Sequence, residues 1–224
     1  MILNLSDYMT RFRHVVVEGP IGVGKTSLTE ILAEKLDARP ILEKEEKNPF
    51  LERFYEDRRT HAFSTQIFFL LSRYQQQQNF LQNDLFNRNI VADYLFAKDR
   101  IFAYINLNDD EIKLYEQIYQ TLNPSILKPD MLIFLQASTD VLMKRIIQRG
   151  KRNDNKIKEE YLDELNHVYN HFFFHYDDSP LIIINTTDID FVANQDDREL
   201  VIDSILNMKG DREYLRPLGS RILD

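Results

Sequence analysis

The stretch HVVVEGPIGVGKTSLTE, residues 14–30, decides the fold. Three consecutive valines run into Gly19-Pro20-Ile21-Gly22-Val23-Gly24-Lys25-Thr26-Ser27, and a helical pattern follows at once. A strand, a glycine loop and a helix, with the spacing G-x-x-x-x-G-K-S/T, make a P-loop. Glycines let successive backbone N–H groups converge on phosphate oxygens, and the helix points its positive end at the same place. Lys25 supplies a cation for the outer phosphates, and the Thr26 hydroxyl is a ligand for Mg²⁺. The plainer alternative, a glycine turn capping an ordinary helix, does not account for the buried strand before it. A nucleoside triphosphate clamp is expected.

Outward from this stretch, short apolar runs alternate with helical periods. Strands are expected over 15–18, 39–43, 89–93, 131–136 and 181–185, the second entered through Pro40. Helices are expected over 26–36, 61–86, 96–106, 110–122, 139–149, 159–176 and 196–209. Residues 1–13 read as an arm, KEEKNPFLERFYEDRRT as a charged, turn-rich segment, and 210–224 as an irregular tail. The pattern predicts an α/β domain spanning 1–224, with a five-stranded parallel sheet and helices on both faces.

The chain's 224 residues carry 28 basic and 36 acidic side chains, a net charge of −8 that repels phosphate backbones and disfavours nucleic-acid partners. The absence of cysteine excludes disulfides and thiolate metal sites. With no signal pattern and no apolar run near membrane-spanning length, no membrane partner is expected and the location is expected to be cytoplasmic. His167, His171 and His175 share a helix face, but no H-E-x-x-H acid accompanies them, and an ordinary helix face is the expectation.

P-loops serve switches, motors and small-molecule kinases. A GTPase switch needs D-x-x-G, and none of the glycines at 19, 22, 24, 150, 210 and 219 has an aspartate three residues before it. Asn155-Lys156 continues as Ile157-Lys158, so no N-K-x-D guanine reader is present. Phosphoryl transfer to a small acceptor remains. Such a kinase needs a base, a Mg²⁺-facing acid and mobile cations. Glu43 and Asp93 end strands at the carboxyl edge of the sheet, where open α/β folds bind ligands. Arg145, Arg149, Lys151 and Arg152 form a basic segment hinged at Gly150, within an expected lid over 145–158. The plainer readings of these features are a loop acid, a helix cap and a solvated basic surface. Gln66 and Arg73 stand two turns apart on one side of a long helix. Phe68, Phe69 and Phe96 are stacking candidates or core.

With these residues in place, the chain from 14 to about 206 resembles the deoxynucleoside kinase family, and most of all its bacterial purine members. The resemblance rests on GPIGVGKTSLTEIL and ILEKEEKNPFLERFYED. It implies ATP as donor with Mg²⁺ held by Thr26 and Asp93, and transfer to the 5′-hydroxyl of a purine deoxynucleoside, or of deoxycytidine. It implies Glu43 as base, with Lys25, Arg145 and Arg149 steadying the moving charge. Tyr55 and Asp154 would meet the sugar 3′-hydroxyl, Gln66 the base, and Arg73 with Asp99 the base edge. Asp190 and Phe191 would border the adenine of ATP. The family's habit also implies a homodimer through the helices near 61–86 and 97–122.

One departure stands out. The family pattern places an arginine after the strand-three acid, whereas this chain reads Asp93-Tyr94-Leu95. Tyr94 carries no charge and is expected only to line the pocket; either a lid cation covers the gap, or Lys98 reaches in, or activity is weaker and differently specific. Two other readings remain at this stage: a thymidylate-type nucleoside monophosphate kinase, and a non-catalytic regulatory nucleotide-binding protein.

Overall fold

A computed structural model describes residues 12–83, 89–151 and 154–217. Most of the expected arm, the last residues of the long helix beyond 83, Arg152 and the end of the tail lie outside them. The first strand, β1 (His14–Glu18), is buried along its whole length, as a strand covered on both faces must be. The described elements then follow as α1 (Lys25–Lys35), β2 (Arg39–Ile41), α2 (Leu51–Glu56), α3 (Arg58–Asn83) and β3 (Ile90–Ala92). After them come α4 (Lys98–Asn106), α5 (Asp109–Leu122), β4 (Met131–Gln136), α6 (Thr139–Arg149) and α7 (Glu159–Phe174). The last three are β5 (Leu181–Asn185), α8 (Gln195–Leu206) and β6 (Arg212–Leu215).

The strands lie in the order β2-β3-β1-β4-β5-β6, and every neighbouring pair is parallel. Among the described residues the sheet therefore has six strands where five were expected. The sixth lies within 210–224, read as irregular, because R-E-Y-L is a short edge strand with alternate residues exposed. Backbone ties hold it: Leu181 N donates to Asp211 O at 2.9 Å, and Lys209 N to Glu213 Oε1 at 2.7 Å.

Other boundaries moved for local reasons. At the opposite edge, β2 stops at Ile41, and Glu43 N donates instead to Asp93 Oδ1 at 2.6 Å. Its Pro40 is tolerated because an edge strand needs hydrogen bonds on one side only. Within the segment expected to be turn-rich, Leu51–Glu56 is helical and buries Phe54. Asp57 then accepts from Thr60 N at 3.3 Å and Thr60 Oγ1 at 2.7 Å, as an N-terminal cap does, so α3 begins at Arg58 rather than 61.

Alternate residues of β1 feed two cores. Val15 and Val17 pack with Leu28 and Leu32 of α1, Leu142 and Ile146 of α6, and Val201 of α8. Val16 packs on the other face with Ile101 of α4 and Leu165, Tyr169 and Phe173 of α7. A third cluster, with Phe54, Leu70, Tyr115 and Tyr161, ties α2 and α3 to α5 and α7. Chemistry-bearing side chains are thus carried on rigid, fully packed elements at one end of the sheet.

Candidate active site

Parallel strands deliver their carboxyl ends to one edge, and the glycine loop leaves β1 there. Gly24 begins α1 with φ +104°, a left-handed conformation that L side chains rarely adopt. No side chain caps this helix start, so its first N–H groups remain for a ligand. A Cβ on Gly24 would stand 2.7 Å from Phe191 Cζ, and one on Gly19 2.5 Å from Leu135 O. Lys25 Nζ donates back to the Gly19 and Pro20 carbonyls at 2.8 and 3.2 Å. Burial, with the like charge of Lys98, holds the Lys25 ammonium pKa below its ordinary value.

Beside the loop, Thr26 Oγ1 donates to Asp93 Oδ2 at 2.8 Å. The other oxygen of Asp93 accepts from Glu43 N, so one carboxylate fixes both the loop threonine and the backbone of Glu43. Glu43 itself stands between two cations. Arg73 Nε donates to its Oε1 at 2.7 Å, with Nη2 alongside, and Lys98 Nζ donates to its Oε2 at 3.1 Å. Burial alone would raise the Glu43 pKa; the charges of Arg73, Lys98 and Lys25 outweigh it and bring the carboxyl down to about 2. The Nη1 of Arg73 is bound by Asp99, which is wholly buried behind it. The structure therefore joins Arg73 to Asp99, as the resemblance implied, and adds a grip on Glu43.

Two cavities meet at this edge. The acceptor-side cavity is lined by Glu43, Tyr55, Gln66, Phe69, Arg73, Lys98 and Ile21. The second is lined by Val23, Gly24, Ser27, Arg145, Asp190 and Phe191. Gly22, Lys25, Thr26, Arg149 and Lys151 line both.

Some expected site residues lie elsewhere. Asp154 lines neither cavity; it accepts from Arg149 Nη2 at 2.6 Å and Lys151 N at 2.9 Å. Arg145 donates to Thr186 O and Ile189 O, both at 2.8 Å, bracing the segment that carries Asp190 and Phe191. Asp190 Oδ1 accepts from Ala193 N at 3.1 Å, and Phe191 is buried against Gly24. Tyr94 does not line the acceptor cavity; it borders a separate one with His14 and Tyr119. Of the aromatic candidates, Phe69 lines the acceptor cavity, whereas Phe68 packs on Phe50 and Phe96 stacks on Tyr119.

Glu18, wholly buried, is a residue that sequence reasoning passed over. Its carboxylate accepts from Gly19 N at 3.1 Å and Leu95 N at 2.7 Å, with Lys98 Nζ at 3.5 Å. An acid closing a valine-rich strand was the available signal.

Among the described residues, no cluster of three or more His, Cys, Asp and Glu could hold a metal unaided. The hydroxyl of Thr26 and the carboxylate of Asp93 are hard oxygen donors that suit Mg²⁺, which takes its remaining ligands from phosphates and water. The described helices include none long and apolar enough to cross a membrane.

The chain is similar to known proteins over most of its length. Residues 15–208 match the family model described as deoxynucleoside kinase. A deoxyguanosine kinase of Bacillus subtilis is 34% identical over 194 residues, covering 84% of this chain and 93% of its own. A deoxyadenosine kinase of Lactobacillus acidophilus is 33% identical over 219 residues, covering 92% and 98%. The solved structure of deoxyadenosine kinase from M. mycoides with bound dATP aligns with a TM-score of 0.74 at 25% identity, over 85% of this chain and 97% of that one.

Proposed function

Because this chain belongs to the deoxynucleoside kinase family, we propose that it transfers the γ-phosphoryl of ATP to the 5′-hydroxyl of a purine deoxynucleoside. The observation that carries this reading is the wall shared by the two cavities. Lys25, Thr26, Arg149 and Lys151 face both, so donor and acceptor need no path through solvent.

Glu43 is the base. Ionised and fixed by Arg73, it takes the proton of the acceptor hydroxyl, whose oxygen forms a bond to the γ-phosphorus while the bond to the bridging oxygen breaks. Lys25 and the first N–H groups of α1 hold phosphate oxygens. Thr26 and Asp93 would hold Mg²⁺, which supplies charge neutralisation on the phosphates. Arg149 and Lys151, hinged at Gly150, bring cations over the transferred group, and Arg145 steadies the segment bordering the adenine. Gln66 and Arg73 serve the purine, Asp99 holds Arg73 from behind, and Phe69 is available to stack on the base. Tyr55 lies toward the sugar, near Arg149 and Asp154.

The charge pattern of the acceptor cavity favours a neutral acceptor. Of its cations, Lys25, Arg149 and Lys151 are shared with the donor cavity; the two that line the acceptor side alone are already engaged, Arg73 with Glu43 and Asp99 and Lys98 with Glu43 and Glu18, so neither is free to neutralise an incoming monophosphate. The family's habit adds to this reading a homodimer through the helices near 61–86 and 97–122. Chain-wide, the reading is one cytoplasmic domain acting on a small molecule, with segment 145–158 as its lid.

A panel of deoxynucleosides and their monophosphates, assayed for ADP release with ATP and Mg²⁺, tests the proposal. Turnover should be highest with deoxyguanosine or deoxyadenosine. Turnover with the monophosphates alone would overturn it.

A further inference from the structure

Lys98, a candidate from sequence for the charge missing after Asp93, has no role of its own in the family pattern. It sits in the first turn of α4 with only 2% of its surface exposed, yet it lines the acceptor cavity. An ammonium so deeply buried requires compensation, and two carboxylates supply it: Glu43 Oε2 at 3.1 Å and Glu18 Oε1 at 3.5 Å. These two acids come from opposite sides of the loop. Glu18 closes β1 immediately before Gly19, whereas Glu43 follows β2. Glu18 is itself anchored by Gly19 N, Leu95 N and Tyr169 Oη, so Lys98 hangs from a fixed support.

The two oxygens of Glu43 are not equivalent. Oε1 takes both Arg73 contacts, and Arg73 is locked from behind by Asp99. Oε2 takes only the longer Lys98 bond, and Lys98 has a second carboxylate within reach. Oε2 is thus the oxygen that can be released to a substrate at least cost.

We propose that Lys98 is the positioning residue of phosphoryl transfer, holding Glu43 Oε2 at the acceptor hydroxyl and handing it over as that hydroxyl binds. Lys98 then rests on Glu18 with its charge beside the attacking oxygen. One proton passes from the hydroxyl to Oε2, the oxygen's electron pair forms the bond to phosphorus, and the leaving nucleoside diphosphate keeps the pair from the broken bond. Lys98 remains protonated throughout. The charge missing after Asp93, where Tyr94 turns to another cavity, is in this way supplied by Lys98 at the start of α4.

This inference rests on the kinase reading above, and one assay separates the two. Wild type, Lys98→Met, Lys98→Arg and the double variant Lys98→Met/Glu18→Gln are compared for kcat and for KM toward deoxyguanosine and deoxyadenosine. Lys98→Met should lower kcat about 100-fold with KM within about threefold, and Lys98→Arg should recover at least about a tenth of wild-type kcat. The double variant removes the buried charge together with its counterion, so it keeps the fold testable by thermal melting if the single variant does not fold. It should show the same loss in kcat. A folded variant lacking Lys98 that keeps kcat within threefold, or loses only KM, overturns the inference and leaves the kinase reading standing. A wild-type chain inactive on every deoxynucleoside overturns both.

Discussion

Arg73 Nε donates to Glu43 Oε1 at 2.7 Å while the far end of the same guanidinium is bound by Asp99. In the proposed reaction the arginine facing the base of the acceptor would also fix the group that removes its proton, so recognition and chemistry would share one side chain.

Replacing Arg73 with methionine should therefore damage three properties together. Asp99 would be left buried without its cation, costing about 3–5 kcal/mol by chemical denaturation. KM should rise and kcat should fall, whereas a pure specificity residue would alter KM alone.

Glu43→Gln is close to isosteric and keeps an oxygen for Arg73, so the fold should hold. Loss of the base should lower kcat by about 100-fold or more, with a small change in KM. Near-normal turnover in steady-state assays would remove Glu43 from its role.

Gly24→Ala places a side chain on a residue at φ +104° and 2.7 Å from Phe191 Cζ. Strain of about 1–3 kcal/mol is expected in the melting curve. Because Phe191 borders the donor cavity, ATP binding measured by calorimetry should weaken more than deoxynucleoside binding.

Chelation by EDTA should abolish turnover, and added Mg²⁺ should restore it. In Asp93→Asn the Mg²⁺ concentration for half-maximal rate should rise about tenfold or more. An unchanged Mg²⁺ dependence in that variant would place the metal on other ligands.

His14 gives a stability prediction away from the site. Burial holds its pKa below the ordinary 6.5, although its contact with the Lys128 carbonyl at 3.3 Å and the charge of Asp130 oppose the shift. The folded chain therefore binds this proton less readily than the unfolded chain. Stability is full above pH 6.5 and falls as pH drops from there through the depressed folded value. Melting temperatures between pH 7.5 and 5.5 should show this loss, and His14→Gln should flatten the slope.

Much of the site could be read without coordinates because its chemistry is local. The loop is a continuous motif, and Glu43 and Asp93 follow strands whose parallel direction brings both to one edge. What escaped depends on partners remote in sequence. Glu18 is an ordinary acid at a strand end until folding buries it 3.5 Å from Lys98. Arg145 shows as a basic helix residue, and only the return of Thr186 and Ile189 beside it reveals a brace. β6 was missed for a different reason: its pattern of partial exposure at a sheet edge leaves little periodic signal in four residues.

The phosphate loop looks self-contained in sequence, but its shape is not set by its own residues. Gly19 lies under the Leu135 carbonyl, Gly22 against Leu142 and Ile146, and Gly24 against Phe191. The walls that mould this short segment arrive from more than a hundred residues downstream. A peptide or amino-terminal fragment carrying the intact motif should thus bind ATP poorly, and nucleotide affinity becomes a gauge of whether β4, α6 and the segment before α8 have docked. During synthesis the clamp would mature late although it is made early, sparing the growing chain from trapping nucleotide before there is an acceptor site to use it.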